Sequence, residues 1–300
     1  MFISEQRIGF DFQKLWLTET QTKDSRVRRM TVEDREVLRE VWEGRIPTVF
    51  NLAQEDIQDN EAPDPFYLLI PRMSYLPLAT VKVKKYFSKY VGTDASQDSN
   101  MEIWFDYKGT PLKWHHPIGA LFDLFKGGNL DNDEGLPWSL NIHFSNFPIQ
   151  DLVPLTSSEN VESHFMSNIK EADQLKHAGR VVSTMQKKDH LQLWSGLQND
   201  KFDQFWAINR KFMFSGEENF KHIPIRFLQQ SNQNVIQKLV KPISDSTGSL
   251  LTFQELKQLY YPSSTLLTQG VVPAPDTPVQ WLSRHLSYPD NFLHIIVHPE

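Results

Sequence analysis

The chain switches between two hydrophobic periods, and each switch marks an element. Val37, Leu38, Val41 and Trp42 recur at helical spacing and make one apolar stripe. Thr31 stands ahead of them as a cap, Glu33 and Asp34 fill a first turn where acids suit the helix dipole, and Gly44 follows as a stop. This predicts an N-terminal helix over 31–45. Residues 1–30 are polar and mixed, with Arg26, Arg28 and Arg29 near their end, and read as a flexible leader.

After the helix the pattern becomes strand-like. Segments 46–52 and 66–71 are apolar and β-prone, and the loop between them is acidic and holds Pro63 and Pro65. A helix is expected over 78–90, then a strand over 101–107, a Lys108-Gly109 turn into 110–114, a short helix over 118–125, a Gly127-Gly128 loop and a strand over 140–144. That order, two strands, a helix, two strands, a short helix and a strand, is the order of a ubiquitin-like β-grasp. Thr277-Pro278-Val279-Gln280-Trp281 restates Thr110-Pro111-Leu112-Lys113-Trp114 near the other end. Around the second copy stand a hairpin (223–228 with 235–240), a helix (253–260) and strands over 265–272 and 292–297, so a second grasp unit is expected.

Between the units the helical period holds almost without interruption. Thr156 and Glu159 read as a capping box, and Val161, Phe165, Ile169 and Ala172 share one face of the helix that follows, which Gly179 closes. A second helix carries Val182, Met185, Leu191, Trp194 and Leu197; a third carries Phe202, Phe205, Trp206 and Phe212. These aromatics recur at i, i+3 and i+4, which favours a core over a base-stacking surface. The expected fold is α+β: a first ubiquitin-like domain over 46–147, a helix-rich domain over 148–213 and a second ubiquitin-like domain over 220–300.

Composition then narrows the chemistry. Net charge is −6 and no basic field spans the chain, so nucleic acid is not an expected partner. With no cysteine among 300 residues, the chain can form neither a disulfide, a thiolate metal site nor a thioester. No run of 18 apolar residues occurs, so a soluble or peripheral protein is expected. His115 and His116 are adjacent, a spacing that turns side chains apart, and no acid stands at ligand spacing, so neither a metal nor a cofactor is expected there. No Gly-x-Ser-x-Gly elbow or paired-carboxylate motif supports a hydrolase. The final residues, His298-Pro299-Glu300, hold no glycine tail of the kind a ubiquitin-like donor uses. A ubiquitin-like fold used only as a scaffold surface remains, and if the chain belongs to a conjugation system it is expected there as an acceptor or a platform.

Several long blocks carry a resemblance. Glu36-Val37-Leu38-Arg39-Glu40-Val41-Trp42, Gly109-Thr110-Pro111-Leu112-Lys113-Trp114-His115, Met185-Gln186-Lys187-Lys188-Asp189-His190, Phe202-Asp203-Gln204-Phe205-Trp206-Ala207-Ile208-Asn209-Arg210 and Leu286-Ser287-Tyr288-Pro289-Asp290-Asn291-Phe292 resemble the autophagy protein five family. So does Met166 followed by Lys170-Glu171-Ala172-Asp173. The likeness runs from Met30 onward and omits residues 1–29, so Met30 reads as the usual initiator.

The resemblance implies a non-catalytic scaffold of autophagosome assembly. In such proteins one lysine, matched here by Lys170, takes the C-terminal glycine of the ubiquitin-like modifier autophagy protein twelve. The conjugate, held by the coiled-coil autophagy protein sixteen, acts as an E3-like factor. It promotes transfer of autophagy protein eight from its E2-like enzyme to phosphatidylethanolamine. The implied location is cytoplasmic and peripheral on the preautophagosomal membrane, and Arg72 matches a position near the coiled-coil partner.

Aminolysis of a thioester needs a neutral amine, whereas an ordinary lysine has a pKa of about 10.4. Glu171 and Asp173 lie close in sequence and would favour the charged form. Deprotonation is therefore expected to come from the E2-like enzyme, and Lys176 is the nearest rival acceptor. Lys82, Lys84 and Lys85 form a basic helix face, which reads as solvated, with anionic lipid as the alternative. A purely non-covalent adaptor is the competing functional reading.

Overall fold

The computed structural model describes residues 31–58, 61–91, 103–127, 136–155, 158–214, 219–229 and 235–299. The leader expected over 1–30 lies outside them, as do Thr156, Gly128 and residues 101 and 102.

Helix α1 (Val32–Glu43) begins at a reciprocal cap: Thr31 Oγ1 accepts from the Asp34 amide at 3.2 Å, and the Asp34 carboxylate accepts from the Thr31 amide at 2.7 Å. Strands β1 (Arg45–Leu52), β2 (Phe66–Pro71), β3 (Trp104–Tyr107), β4 (Thr110–Pro111) and β5 (Trp138–His143) make a five-stranded sheet ordered β2-β1-β5-β3-β4. The hairpin β1–β2 is antiparallel, β1 runs parallel to β5, and β3 is antiparallel to β5. The helix expected over 78–90 is instead two short ones, α2 (Leu76–Ala79) and α3 (Val81–Phe87). They break at Thr80, whose hydroxyl donates back to the Leu76 carbonyl at 2.5 Å and competes for a backbone acceptor. Helix α4 (Ile118–Lys126) precedes β5.

The helical middle comprises α5 (Ser158–His177), α6 (Arg180–Thr184), α7 (Lys187–Gln198) and α8 (Phe202–Phe214). One helix was expected over the span that α6 and α7 divide between them. The division comes from Gln186, which leaves the helix in extended backbone and caps α7 in a reciprocal pair with Asp189. Polar residues three apart inside a helical pattern are a start signal as well as a solvated face. Helices α7 and α8 approach closely because position 196 is glycine: a Cβ there would lie 2.6 Å from the Phe205 backbone nitrogen.

Strands β6 (Ile223–Gln229), β7 (Val235–Val240), β8 (Ser264–Leu267) and β9 (Leu293–Pro299) form a second sheet ordered β7-β6-β9-β8. Its hairpin is antiparallel, β6 runs parallel to β9, and β8 is antiparallel to β9. The topology of the first sheet is thus repeated strand for strand, with β4 as the first sheet's addition. Helix α9 (Phe253–Tyr260) and the short α10 (Val279–His285) complete this unit. The Thr-Pro-x-x-Trp motif does not repeat in structure: Thr110 and Pro111 are the strand β4, whereas Pro278 caps α10 and Trp281 lies inside it. The two sheets flanking a helical region give the α+β fold expected.

Burial divides unevenly. The first sheet closes over its own core, which includes Phe50, Ile70, Phe87, Leu121, Trp138 and Leu140. A second core is continuous from α1 through α5, α7 and α8 into the second sheet, joining Trp42, Phe165, Phe205, Phe212, Phe227 and Ile295. Among the described residues no helix is long and apolar enough to cross a membrane.

Candidate functional site

Helix α5 presents two lysines to opposite environments. Val161, Phe165, Ile169 and Ala172 are buried at 1 % exposure or less and fix which side of the helix faces the core. Ser163, Ser167, Lys170 and Gln174 form the exposed face opposite. Lys170 is exposed, and among the described residues its amine has neither a hydrogen bond nor an ion pair.

Lys176, six residues later, is 1 % exposed. Its Nζ lies 3.0 Å from the Met213 sulfur and 4.9 Å from the centre of the Phe220 ring. Burial, reinforced by the nearby Arg284 charge, pushes its pKa down to about 7. The rival acceptor named from sequence is therefore sealed inside the shared core. A helix turns about 100° per residue, so six residues carry a side chain to the far face.

The acids beside Lys170 also differ from expectation. Asp173 is fully buried, and its carboxylate accepts the Val182 amide at 2.8 Å, ordering the start of α6. Glu171 turns toward the second sheet, where Arg226 Nη2 donates to Oε2 at 3.1 Å and Gln237 Nε2 donates to Oε1 at 2.8 Å. Neither carboxylate is bonded to the Lys170 amine. Sequence spacing alone could not show this, because the groups that claim the carboxylates come from β6, β7 and α6.

Near the start of α5 the histidines His115, His116 and His164 converge. The His115 and His116 rings are 4.4 Å apart and those of His115 and His164 are 5.6 Å apart, so the adjacent pair does not diverge as expected. Desolvation pushes His115 down to about 4, with His164 adding to the effect, and pushes His116 well below its ordinary value. Among the described residues no group of three or more His, Asp or Glu side chains could hold a metal ion.

Arg72 stands at the joint of the two ubiquitin-like units. It is buried, its Nη2 lies 2.5 Å from the Asp123 carboxylate of α4, and its backbone amide donates to the Gly44 carbonyl at 3.0 Å. Burial raises the Asp123 carboxyl even though Arg72 opposes that shift. A Cβ on Gly119 would meet the Tyr288 hydroxyl at 2.7 Å and Arg72 Cβ at 3.1 Å, so only glycine lets the two units close here. Beside Arg72 an apolar cleft is lined by Val37, Glu40, Val41, Gln269, Val271 and Leu286. Arg72 is thus a buried ion pair on the wall of a cleft.

Three family models match the chain in order: "Autophagy protein ATG5, UblA domain" over residues 41–144, the alpha-helical bundle region over 158–215 and the UblB domain over 222–297. The chain belongs to the autophagy protein 5 family. Autophagy protein 5 of Drosophila melanogaster is 48% identical over 269 residues, covering 88% of this chain and 97% of that one. Autophagy-related protein 5 of Caenorhabditis elegans is 34% identical over 280 residues, covering 88% and 98%. The crystal structure of Kluyveromyces marxianus Atg5 superposes with a TM-score of 0.74 at 18% identity, over 87% of this chain and 99% of that one, a likeness of fold. Family membership gives a role in autophagy on ubiquitin-like domains, and the family is not a recognised family of catalytic enzymes.

Proposed function

We propose that this chain is the acceptor scaffold of an E3-like conjugate, with Lys170 as the residue that takes the modifier. The observation carrying the reading is the contrast on α5: the Lys170 amine is exposed and unpaired among the described residues, whereas the Lys176 amine is sealed among Met213 and Phe220. The amine of Lys170, once neutral, attacks the thioester carbonyl at the C-terminal glycine of autophagy protein twelve on its E2-like enzyme. The new C–N bond forms as the C–S bond breaks, the enzyme's cysteine leaves as thiolate, and the protons shed by the amine pass to the enzyme and to water. Among the described residues no base reaches Lys170, so the E2-like enzyme supplies deprotonation. The chain has no cysteine of its own and performs no step as a catalyst.

The conjugate then binds the coiled-coil autophagy protein sixteen, for which the small apolar cleft beside Arg72 offers a contact point. Together they promote transfer of autophagy protein eight to phosphatidylethanolamine in the cytoplasm, peripherally on the preautophagosomal membrane. On α3 Lys82 and Lys85 are exposed and Lys84 is half-buried, leaving a basic face for anionic lipid.

Blotting under reducing, denaturing conditions should show most of the chain shifted upward by one ubiquitin-like modifier, and Lys170→Arg should remove the shifted species. A conjugate that persists in Lys170→Arg sinks the acceptor assignment. No shifted species in the unaltered chain leaves the non-covalent adaptor. Val41→Glu should release the coiled-coil partner and keep the conjugate. Flotation with anionic liposomes at low and moderate salt should weaken when Lys82 and Lys85 become Gln; unchanged flotation removes the lipid role.

A further inference from the structure

The residue after the acceptor is tied to a different domain. Glu171 lies on α5, yet both of its carboxylate oxygens are held by side chains of the second sheet, Arg226 on β6 and Gln237 on β7. Arg226 is itself fixed on several sides. Its guanidinium stacks 3.6 Å above the Phe292 ring, its Nη2 also donates to the Asn168 side-chain oxygen at 3.0 Å, and its Nη1 lies 3.5 Å from the Asp290 carboxylate. Only 13% of its side chain is exposed. A guanidinium locked by stacking and a buried acid is a rigid donor, so the position of Glu171 follows that of the sheet.

We propose that Arg226 and Gln237 are positioning residues for conjugation at Lys170, acting through Glu171. The clamp rests on the acceptor role of Lys170 and deepens it. Asn168 and Glu171 flank Lys170 on either side in sequence, and the same guanidinium grips both. The turn of α5 that carries the acceptor therefore cannot roll or slide against the second ubiquitin-like unit. Near-attack geometry asks for an amine about 3–3.5 Å from the thioester carbonyl carbon and within about 0.5 Å of its productive position, and a helix anchored on either side of the nucleophile in sequence favours that placement. Glu171 serves as an anchor here, through two accepted hydrogen bonds, and not as a base.

The test is the rate of isopeptide formation by the full chain, with autophagy protein twelve loaded as the thioester on its E2-like enzyme and varied in concentration. Glu171 and Gln237 are surface positions, so their variants keep the fold, which a melting curve verifies. Glu171→Ala should lower kcat about five- to tenfold with KM within twofold, and Gln237→Ala should lower kcat about threefold. Glu171→Ala/Gln237→Ala should be no slower than Glu171→Ala alone, because Glu171→Ala already removes the contact that Gln237→Ala removes. Glu171→Gln can still accept from Arg226 but loses the bond from Gln237, so it should be slowed no more than Gln237→Ala, about threefold. Loss in Glu171→Gln equal to that in Glu171→Ala would mean the charge itself acts, and an effect confined to KM would mean Glu171 is an enzyme contact; either overturns positioning, as does an unchanged rate in Glu171→Ala. Lys170→Arg separates the two levels. Conjugate surviving in that variant defeats the acceptor reading, whereas its loss beside a normal rate in Glu171→Ala defeats the clamp alone.

Discussion

The two ubiquitin-like units share a strand topology and differ in what they are packed against. The first closes Phe50, Phe87, Trp138 and Leu140 into a core of its own, and the outward face of its edge strand leaves Tyr67 and Leu69 in solvent at 68% and 61% exposure. The second has no separate core: Phe227 and Ile295 belong to the same apolar body as Trp42, Phe165 and Phe205. Equal topology thus yields one unit with a core of its own, which also lends Met73, Tyr75, Trp114 and Leu124 to the shared core, and one that completes itself on the helical middle. The acceptor helix lies on the second side of that division, where its core face, Asn168 and Glu171 are all held.

The comparison breaks most visibly in the cores. Phe205→Ala, at a fully buried site whose ring lies tilted against Trp42 with centroids 4.9 Å apart, should cost about 3–5 kcal/mol. Hydrogen exchange should then show protection lost together in α1, α7, α8 and the second sheet. Leu140→Ala should cost about 2–5 kcal/mol with the loss confined to the first sheet. Coincident loss in both variants would mean that the two cores act as one.

The joint between the units comes next. Arg72→Ala leaves the Asp123 carboxylate buried without its guanidinium and should cost about 3–5 kcal/mol. Arg72→Met with Asp123→Leu should recover most of that, as measured by denaturant midpoint, because neither charge is then left alone.

Lys176 gives a smaller effect of opposite sign. Its folded pKa, about 7, lies below the ordinary lysine value, so between pH 7 and about 10.4 the unfolded chain binds a proton that the folded chain does not. Stability should therefore rise with pH across that window, and below it the dependence from this group vanishes. Lys176→Met should flatten the rise and stabilise the chain at pH 7 by about 1–4 kcal/mol. His115 titrates with the same sense at lower pH. Burial holds its imidazole neutral down to about 4, so its contribution is complete above the ordinary histidine range and is lost as pH falls from about 6.5 to about 4. Lys170→Arg has the smallest expected effect on folding, within about 0.5 kcal/mol. That is what makes loss of conjugate in this variant a statement about chemistry.

Much of this was legible in the residues because it rests on local spacing. The stripe Val161, Phe165, Ile169, Ala172 placed α5 and left Lys170 in water; the hairpins and closing strands gave both grasp units. Local spacing also misled where two signals overlapped. Gln186 and Asp189 lie within an unbroken helical pattern, and only the observed cap shows that a new helix starts there. The Thr-Pro-x-x-Trp match suggested a repeat that the backbone does not honour, although the sheets themselves do repeat.

Sequence by itself determined most of the elements, the two-unit plan, the absence of a thiol and the family, since period, capping and residue type are properties of neighbours along the chain. Tertiary structure alone decided that Lys176 is sealed by Met213 and Phe220, that Arg72 is an internal ion pair at a joint, and that Glu171 answers to Arg226 and Gln237. Each of those depends on which distant segment covers a side chain. Burial and long-range hydrogen bonds are set by packing between elements far apart in sequence, and no local pattern encodes them.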